Sequence, residues 1–265
     1  MDDQQFRQLL QYLGLSWQGY RKVRKGVKRR IVRHMHVLGC RNVTAYLLEL
    51  DKSEELRWKC ERLMTVSISR FFRDRKLWEI LQQEILPQFV ERHRKKIKVW
   101  SAGCACGEEV YSLKIIWDVL TASIKGVPDL EITGTDMNPI YLKRARAGIY
   151  PWSSLKEVPY GLRSVYFNTQ PDKKTYLIKA SLKKGIFWRT DHLLDVPLGS
   201  SFELIFLRNN VLTYYQDELR KSVLKKVIDS LEVDGFLIIG SHEKLPIERP
   251  DLVPLSSLSY VFRKR

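Results

Sequence analysis

A run of small residues followed by two carboxylates is the part of this chain best suited to chemistry. Residues 101–112 read S-A-G-C-A-C-G-E-E-V-Y-S. An apolar stretch that ends at Trp100 precedes this run, and residues 110–120 behind it are apolar and compatible with a helix. Strand, tight turn and helix in this order bring a nucleotide-like ligand close to backbone N–H groups in doubly wound α/β sheets. The spacing is not G-x-G-x-x-G, so we do not expect a pyrophosphate cradle.

A second acidic position follows at the end of the next predicted strand. Residues 131–135 form that strand, and Asp136 comes directly after it. An acid at this point of such a fold holds a ribose diol through hydrogen bonds. Together the turn and the acid indicate an adenosine-type ligand, and without pyrophosphate geometry we favour S-adenosylmethionine. The alternative is an ordinary α/β turn with a solvated Asp136.

The elements that must position these residues alternate between strands and helices. The predicted strands are 98–101, 131–135, 185–189, 202–207, 235–241 and 260–264, and the predicted helices are 109–120, 139–147 and 216–230. This alternation predicts an α/β fold with a mainly parallel, doubly wound sheet. The strands around Gly240 and Val261 are expected to pair antiparallel at the end of the sheet. Residues 166–188 are expected to form a small antiparallel β insert, with short strands at 173–179 and 186–188.

The first 85 residues are predicted to be all-helical and to form a domain separate from 86–265. Apolar residues recur at helical spacing, and Asn42 and Ser53 are suited to cap two of the helices. Residues 20–35 combine a periodic apolar face with many basic residues and lack acidic ones. The whole chain has 46 Lys and Arg against 30 Asp and Glu. This excess favours an acidic partner, although a merely solvated helix face is the alternative.

The cysteines and the apolar runs of the chain indicate where the protein is expected to be located. The four cysteines, Cys40, Cys60, Cys104 and Cys106, form no C-x-x-C pair, so neither a disulfide framework nor a metal site is expected. The N-terminus has no apolar leader, and no apolar run approaches membrane-spanning length. We therefore expect a cytoplasmic protein without membrane insertion, and we expect a monomer.

Five longer motifs occur in an order that is specific to one family. A paired arginine, Arg29-Arg30, lies in the basic helix ahead of them. The motifs are T-V-S-I-S-R-F-F-R-D at 65–74, residues 101–112 given above, T-D at 135–136 with L-K-R-A-R-A-G-I-Y at 142–150, F-E-L-I-F-L-R-N-N-V-L-T-Y-Y at 202–215, and G-F-L-I-I-G-S-H-E at 235–243. With these motifs the chain resembles the chemotaxis receptor methyltransferases nearly end to end. These enzymes transfer a methyl group from S-adenosylmethionine to glutamate side chains of chemoreceptors, leaving S-adenosylhomocysteine.

The resemblance implies a Rossmann-like methyltransferase sheet behind an N-terminal helical domain, and it implies roles for individual residues. The implied cofactor-binding residues are Ser67, Ser69, Arg73, Gly103, Glu108, Glu109, Asp136, Met137, His192, Leu193, Asn209 and Asn210. Arg73 would lie near the methionine carboxylate, which its guanidinium can bind bidentately. A surface ion pair with Asp74 is the alternative for Arg73. One of the two glutamates would accept from the ligand ammonium while the other supports the loop.

The remaining implied roles concern the two ends of the ligand and the acceptor. Asp136 would hold the ribose, His192 and Leu193 would border the adenine, and Asn209 and Asn210 would lie beneath the methionine. Tyr214, counted with Arg73 as catalytic, would lie near the transferred methyl group, although packing beneath the following helix is the alternative. Arg29 and Arg30 would bind an acidic helical acceptor, expected to be the cytoplasmic domain of a chemoreceptor.

A few positions depart from the family pattern. The family often has Asn and Thr at the positions of Ser67 and Ser69, Asn at His192, Arg at Asn209, and Thr at Cys106. Serine for threonine keeps a hydroxyl, whereas the loss of an arginine at 209 is a larger chemical change. The change at 209 weakens the inference about the acceptor more than the inference about the cofactor, because the loop at 101–107 and Asp136 both match the family.

Methyl transfer to a carboxylate needs little acid–base chemistry, because an ionised glutamate is a nucleophile and a sulfonium is an activated leaving group. The protein has to align the reacting atoms and exclude water. Methylation of another protein or a small molecule is the first alternative. Nucleic acid methylation is a weaker one, since the chain lacks an N/D-P-P-[YF] motif. The last alternative is a module that binds S-adenosylmethionine without catalysing methyl transfer.

Overall fold

The computed structural model describes residues 1–92, 95–122, 124–195 and 201–265. The chain begins with five helices. They are α1 (Asp3–Tyr12), α2 (Trp17–Tyr20), α3 (Arg24–Val37), α4 (Val43–Lys52) and α5 (Glu54–Met64). The caps are as predicted, because Asn42 accepts from the Ala45 N–H and Ser53 accepts from the Leu56 N–H. These helices share one hydrophobic core, which includes Phe6 and Ile31 on the apolar faces of α1 and α3.

A continuous helical run connects this core to the sheet. It consists of α6 (Arg75–Ile80), a π-helical turn (Leu81–Ile85) and α7 (Leu86–Glu91). Its apolar side chains belong to the core of the sheet, and Trp78 stacks on Phe206 of a central strand with ring centroids 6.1 Å apart. Along the chain, the core of the helical region therefore ends at Met64, and the core of the sheet begins at Phe71. The sequence places the domain division later, at residue 85, inside the helical run, and that division stays a prediction.

Within the described residues, the main sheet has seven strands: β1 (Lys96–Ala102), β2 (Asp129–Asp136), β6 (Ile186–Thr190), β7 (Phe202–Leu207), β8 (Leu231–Ile239), β9 (Leu252–Pro254) and β10 (Val261–Lys264). Their order across the sheet is β6-β2-β1-β7-β8-β10-β9. The first five positions are parallel, and β10 pairs antiparallel with β8, as predicted. The strand order reverses between β1 and β7, and such a switch point is where open α/β sheets bind ligands. All six side chains of β7 are buried, as expected for a central parallel strand.

Helices cover the sheet, and several of them begin after turns at its carboxyl edge. They are α8 (Glu108–Thr121), α9 (Pro139–Ala147), α10 (Trp152–Leu155), α11 (Tyr160–Tyr166), α12 (Val211–Tyr214) and α13 (Asp217–Asp229), with a 3-10 turn at Ala180–Lys183. The predicted helix 139–147 has the observed bounds, and the other two predicted helices differ from α8 and α13 by one residue at each end. The predicted doubly wound α/β fold is confirmed.

The small antiparallel sheet is present, but its extent differs from the prediction. Its strands β3 (Ile149–Pro151), β5 (Thr175–Ile178) and β4 (Phe167–Thr169) pair in that order. The sheet therefore begins before residue 166. Residues 186–188 do not belong to it, because Ile186–Thr190 pairs parallel with β2 in the main sheet. A short apolar run does not by itself reveal which of two sheets it joins.

All four cysteines are buried and carry free thiols. Across the described ranges, no helix combines the length and apolar character needed to cross a membrane.

Candidate active site

The small-residue turn lies at the carboxyl end of β1 and folds back onto the end of β2. The N–H groups of Gly103 and Cys104 both donate to the Thr135 carbonyl, at 2.8 Å. Gly103 adopts a left-handed conformation (φ 76°), and a Cβ atom there would lie 2.4 Å from Nδ2 of Asn210. Only glycine therefore allows the turn to pack this closely against Asn210.

Asp136 anchors the same turn through both of its carboxylate oxygens. Oδ2 accepts from the Ala105 N–H and Oδ1 from the Asn138 N–H, each at 2.9 Å. Burial raises the pKa of Asp136 to about 6, and these two backbone hydrogen bonds only partly oppose the shift. Each carboxylate oxygen can accept a further hydrogen bond, so the group can also bind the two hydroxyls of a diol.

A cavity of about 410 Å³ opens beside Asp136, within the size range of small-ligand sites. The predicted site residues that line it are Ser67, Gly103, Asp136, Met137, His192, Leu193, Asn209, Asn210 and Tyr214. The helical region closes its other side, with Tyr12 at the end of α1 and Glu61 on α5. The cavity thus lies between the two hydrophobic cores, at the point where the sheet order reverses.

A smaller cavity of about 160 Å³ adjoins the first one. The two share wall residues, among them Ser67, Gly103, Asn209 and Tyr214. The smaller cavity is also lined by Ser69, Arg73 and Glu109. Two chambers with a common wall can hold two reacting molecules side by side.

The linker after α5 is held against the sheet domain. The Phe71 N–H donates to the Ser154 carbonyl at 3.0 Å, and the Phe72 N–H donates to Oγ of Ser112 at 2.9 Å. Both phenylalanines are buried in the core of the sheet. Arg73 comes next, and its Nη1 donates to the Ile68 carbonyl at 2.7 Å. These contacts place the Arg73 side chain at the smaller cavity.

Asp74 does not form the ion pair with Arg73 that the sequence left open. Its carboxylate pairs instead with Nη2 of Arg208, whose Nη1 lies 2.9 Å from Oε2 of Glu109. Glu109 also accepts from Oγ of Ser101 at 2.8 Å. The Arg208 side chain is only 5% exposed, so this network ties the end of β7 to the linker and to the start of α8.

The two neighbouring glutamates lie in different surroundings. Glu109 lines the smaller cavity, whereas Glu108 is buried and lines neither of the two. Burial raises the pKa of Glu108, and Oγ of Ser154 lies 3.4 Å from its Oε1. Of the two, Glu109 is therefore the one that faces a cavity, and Glu108 is enclosed within the protein.

His192 forms part of the larger cavity wall and contacts both halves of the protein. Its Nδ1 accepts from the Leu194 N–H at 3.2 Å. Its Nε2 lies 3.5 Å from Oη of Tyr215 and 3.6 Å from Oε2 of Glu61. A ring that accepts at Nδ1 carries its proton at Nε2, so it can donate toward Glu61.

The two arginines of the basic helix have different environments. Arg29 is exposed, whereas the guanidinium of Arg30 donates to the carbonyls of Leu63 and Thr65, each at 2.8 Å. Neither arginine lines the two cavities. Arg30 therefore holds the end of α5 and the start of the linker, whereas the Arg29 side chain is exposed to solvent.

Some residues of the site carry no local sequence signal. Tyr20 packs on Tyr214, and Glu61 lies beside His192. Arg208 and Glu243 belong to quoted motifs, but the residues they contact, Asp74 and Asn209, lie far from them in sequence. Only the tertiary fold brings these residues to the site.

Comparisons with known proteins place this geometry in a family. Residues 67–262 match the sequence profile described as CheR methyltransferase, SAM binding domain. The chain is 34% identical to a chemotaxis protein methyltransferase of Listeria innocua, over 88% of this chain and 86% of that protein. It is 30% identical to one from Borreliella burgdorferi, over 83% of this chain and 80% of that protein. The chain therefore belongs to the CheR methyltransferase family, and S-adenosylmethionine is its cofactor.

Proposed function

We propose that this protein transfers a methyl group from S-adenosylmethionine to glutamate side chains of chemoreceptors. One observation carries the proposal. A ligand-sized cavity beside Asp136 shares a wall with a smaller cavity that has Arg73 and Tyr214 on its surface. The first suits the nucleoside of the cofactor, and the second suits its methionine end together with an acceptor side chain. The names of the relatives supply the chemotaxis context.

The residues of the larger cavity fit the cofactor. Asp136 would accept from the ribose hydroxyls, and His192 and Leu193 would border the adenine. The absence of a Cβ atom on Gly103 lets the Asn210 side chain pack against the turn, and both residues line this cavity. The other residues proposed to contact the cofactor are Ser67, Ser69, Arg73, Glu109, Met137 and Asn209. When bound, S-adenosylmethionine supplies a methyl group on an activated sulfonium.

The chain's own residues orient the acceptor and exclude water. A glutamate acceptor is ionised at neutral pH, so no general base is required. Burial raises the pKa of Tyr214, which keeps its hydroxyl protonated and able to donate a hydrogen bond to the acceptor carboxylate. Arg73, on the wall of the same cavity, would bind the methionine carboxylate of the cofactor and hold that end in place.

The surroundings of Arg29 support the proposal that the acceptor is an acidic helical protein. It is exposed on α3 in a basic patch with Lys28, Arg33 and His36. A negatively charged receptor surface would be attracted to this patch, and nucleic acid is not the expected partner. A cytoplasmic location and a monomeric state stay predictions.

The direct test is the chemical nature of the product. The protein is incubated with methyl-labelled S-adenosylmethionine and an extract of its native cells, with and without nuclease. We expect label on protein that base releases as methanol, because carboxyl methyl esters hydrolyse readily, and mass spectrometry should place it on glutamate. Base-stable label would indicate nitrogen methylation, and label lost to nuclease would indicate nucleic acid. The Asp136→Ala variant serves as the control with weakened cofactor binding.

A further inference from the structure

Glu243 is a half-buried carboxylate to which the proposed function gives no role. It follows β8 as the last residue of the motif G-F-L-I-I-G-S-H-E. Its Oε2 accepts from the Asn209 N–H at 3.0 Å and from the Gly240 N–H at 2.7 Å. Its Oε1 accepts from Oγ1 of Thr213 at 2.5 Å. One side chain therefore takes three donors from two separate parts of the chain.

The turn that Glu243 holds has an unusual backbone. Asn209 adopts a left-handed conformation (φ 54°), which is uncommon outside glycine but which asparagine adopts more readily than most residues. A Cβ atom on Gly240 would lie 2.7 Å from Oε2 of Glu243 and 2.8 Å from Oδ1 of Asn209. The glycine at 240 thus lets both side chains approach the same backbone, and Glu243 is the group that receives the Asn209 N–H.

This turn carries residues of the candidate active site. Asn209 lines both cavities, and Tyr214 follows Thr213 directly at the end of α12. Glu243 itself lines neither of these two cavities within the described chain. Its hydrogen bonds to the site are therefore made through the turn from Asn209 to Tyr214.

We propose that Glu243 is a positioning residue for methyl transfer. By accepting hydrogen bonds from Asn209 and Thr213, it holds Tyr214 where the tyrosine hydroxyl can contact the acceptor. The inference rests on the proposed function for the role of Tyr214. The carboxylate works as a hydrogen-bond acceptor, and its charge is not required by this arrangement.

The amide of glutamine separates these two properties. In Glu243→Gln, Oε1 of the amide can take the place of the carboxylate oxygen that accepts the two backbone N–H groups. Its NH₂ group then faces Thr213, whose hydroxyl can accept as well as donate. Glutamine should therefore keep the turn, whereas alanine removes all three acceptor contacts.

The experiment measures kcat, the KM for the acceptor and the S-adenosylhomocysteine Kd, at a temperature where thermal melting shows every variant folded. We expect Glu243→Ala to lower kcat by about 10- to 100-fold, the size of effect that a small misplacement produces. Glu243→Gln should restore kcat to within about threefold of the parent, and Thr213→Val should fall between the two. The Kd should change less than kcat, because Asn209 is one cofactor contact held by Glu243, whereas Asp136 and its loop are not attached to Glu243. The exposed Glu248→Ala, in the same loop, is the matched control.

Two results would overturn the inference. Glu243→Ala with kcat near that of the parent would mean that the turn holds its position without Glu243. Equal losses in Glu243→Gln and Glu243→Ala would mean that the charge acts directly. If alanine prevents folding, the glutamine and Thr213→Val variants still decide. Failure of the proposed function is separate, because it would appear as a wrong product from the parent protein, whatever the ratios between variants.

Discussion

The ring of Tyr214 packs against the ring of Tyr20, with centroids 4.9 Å apart and planes inclined by 55°. The backbone reinforces the contact, since the Ser16 N–H donates to the Tyr214 carbonyl at 2.8 Å. Oη of Tyr20 donates to the Met64 carbonyl at the end of α5. The helical region therefore supports the tyrosine proposed to act at the methyl group. A Cβ atom on Gly19 would lie 2.2 Å from the Thr213 carbonyl oxygen, so glycine is needed for this approach.

Tyr214→Phe should lower kcat with little change in cofactor affinity. The variant keeps the ring on Tyr20 and removes only the hydroxyl, whose hydrogen bond to the charged acceptor is worth about 1.5–3 kcal/mol, or about 10- to 150-fold in rate. Turnover with the labelled acceptor and calorimetry with S-adenosylhomocysteine measure the two effects. Tyr214→Ala should in addition lower the melting temperature, because it removes the aromatic contact. A phenylalanine variant with parental turnover would leave Tyr214 only its packing role.

Local patterns in the sequence predicted much of the sheet domain. Strand 202–207 has the observed bounds because its buried apolar run is flanked by polar residues on both sides. The turn at 101–107 and Asp136 also meet as expected, since the ends of neighbouring parallel strands lie at the same edge. Patterns of this kind depend only on residues close together in the chain.

The features that the sequence did not reveal depend on distant partners. Arg30 looked equivalent to Arg29, but its guanidinium reaches carbonyls more than 30 residues away. Residues 186–188 looked like part of the insert, yet they pair with β2. The division between Glu108 and Glu109 likewise depends on Ser101 and Arg208, which approach α8 only in the folded chain.

Cofactor affinity should fall as the pH is lowered through about 6. Burial raises the pKa of Asp136 to about 6, and the ribose hydroxyls require the ionised form as acceptor. Donation from the ligand favours the carboxylate, so binding is strongest above pH 6 and weakens below it as the site gains a proton. Calorimetry with S-adenosylhomocysteine between pH 5 and 8 measures the change, with pH limits chosen at about one to two units on either side of the pKa.

Asp136→Ala should weaken binding by about 1.5–3 kcal/mol at neutral pH, the range for a hydrogen bond to a charged group, and should flatten the pH profile. His192 also faces the cavity and is an ionisable group. His192→Asn is therefore the matched control, and its profile should retain the fall near pH 6. An unchanged affinity in Asp136→Ala would contradict the ribose assignment.

Charge reversal at Arg29 and at Arg30 should have different consequences. Arg29→Glu should reduce methylation of an acidic acceptor and leave cofactor affinity unchanged, because the residue is exposed and away from both cavities. The loss should shrink as salt screens the repulsion. Initial rates at about 20 and 300 mM salt measure this effect, since the Debye length shortens severalfold over that range.

Arg30→Glu should instead lower the melting temperature and weaken cofactor binding. It removes two donors to the Leu63 and Thr65 carbonyls and brings a carboxylate toward them. The linker that carries Ser67 would then lose its attachment to α3. Equal, salt-dependent losses in both variants, with parental cofactor affinity, would mean that both arginines meet the acceptor.

The last prediction concerns Arg208, which lies between two carboxylates with only 5% of its side chain exposed. Arg208→Met should destabilise the fold by about 3 kcal/mol, because it leaves Asp74 and Glu109 without their shared cation in a poorly hydrated place. Neutralising both acids in the triple variant with Asp74→Asn and Glu109→Gln should recover most of that loss. Arg263→Met, at the exposed pair with Asp234, is the matched control and should cost about 1 kcal/mol or less. Denaturant midpoints measure all three, and a loss in Arg208→Met no larger than the control's would mean that the linker does not depend on this network.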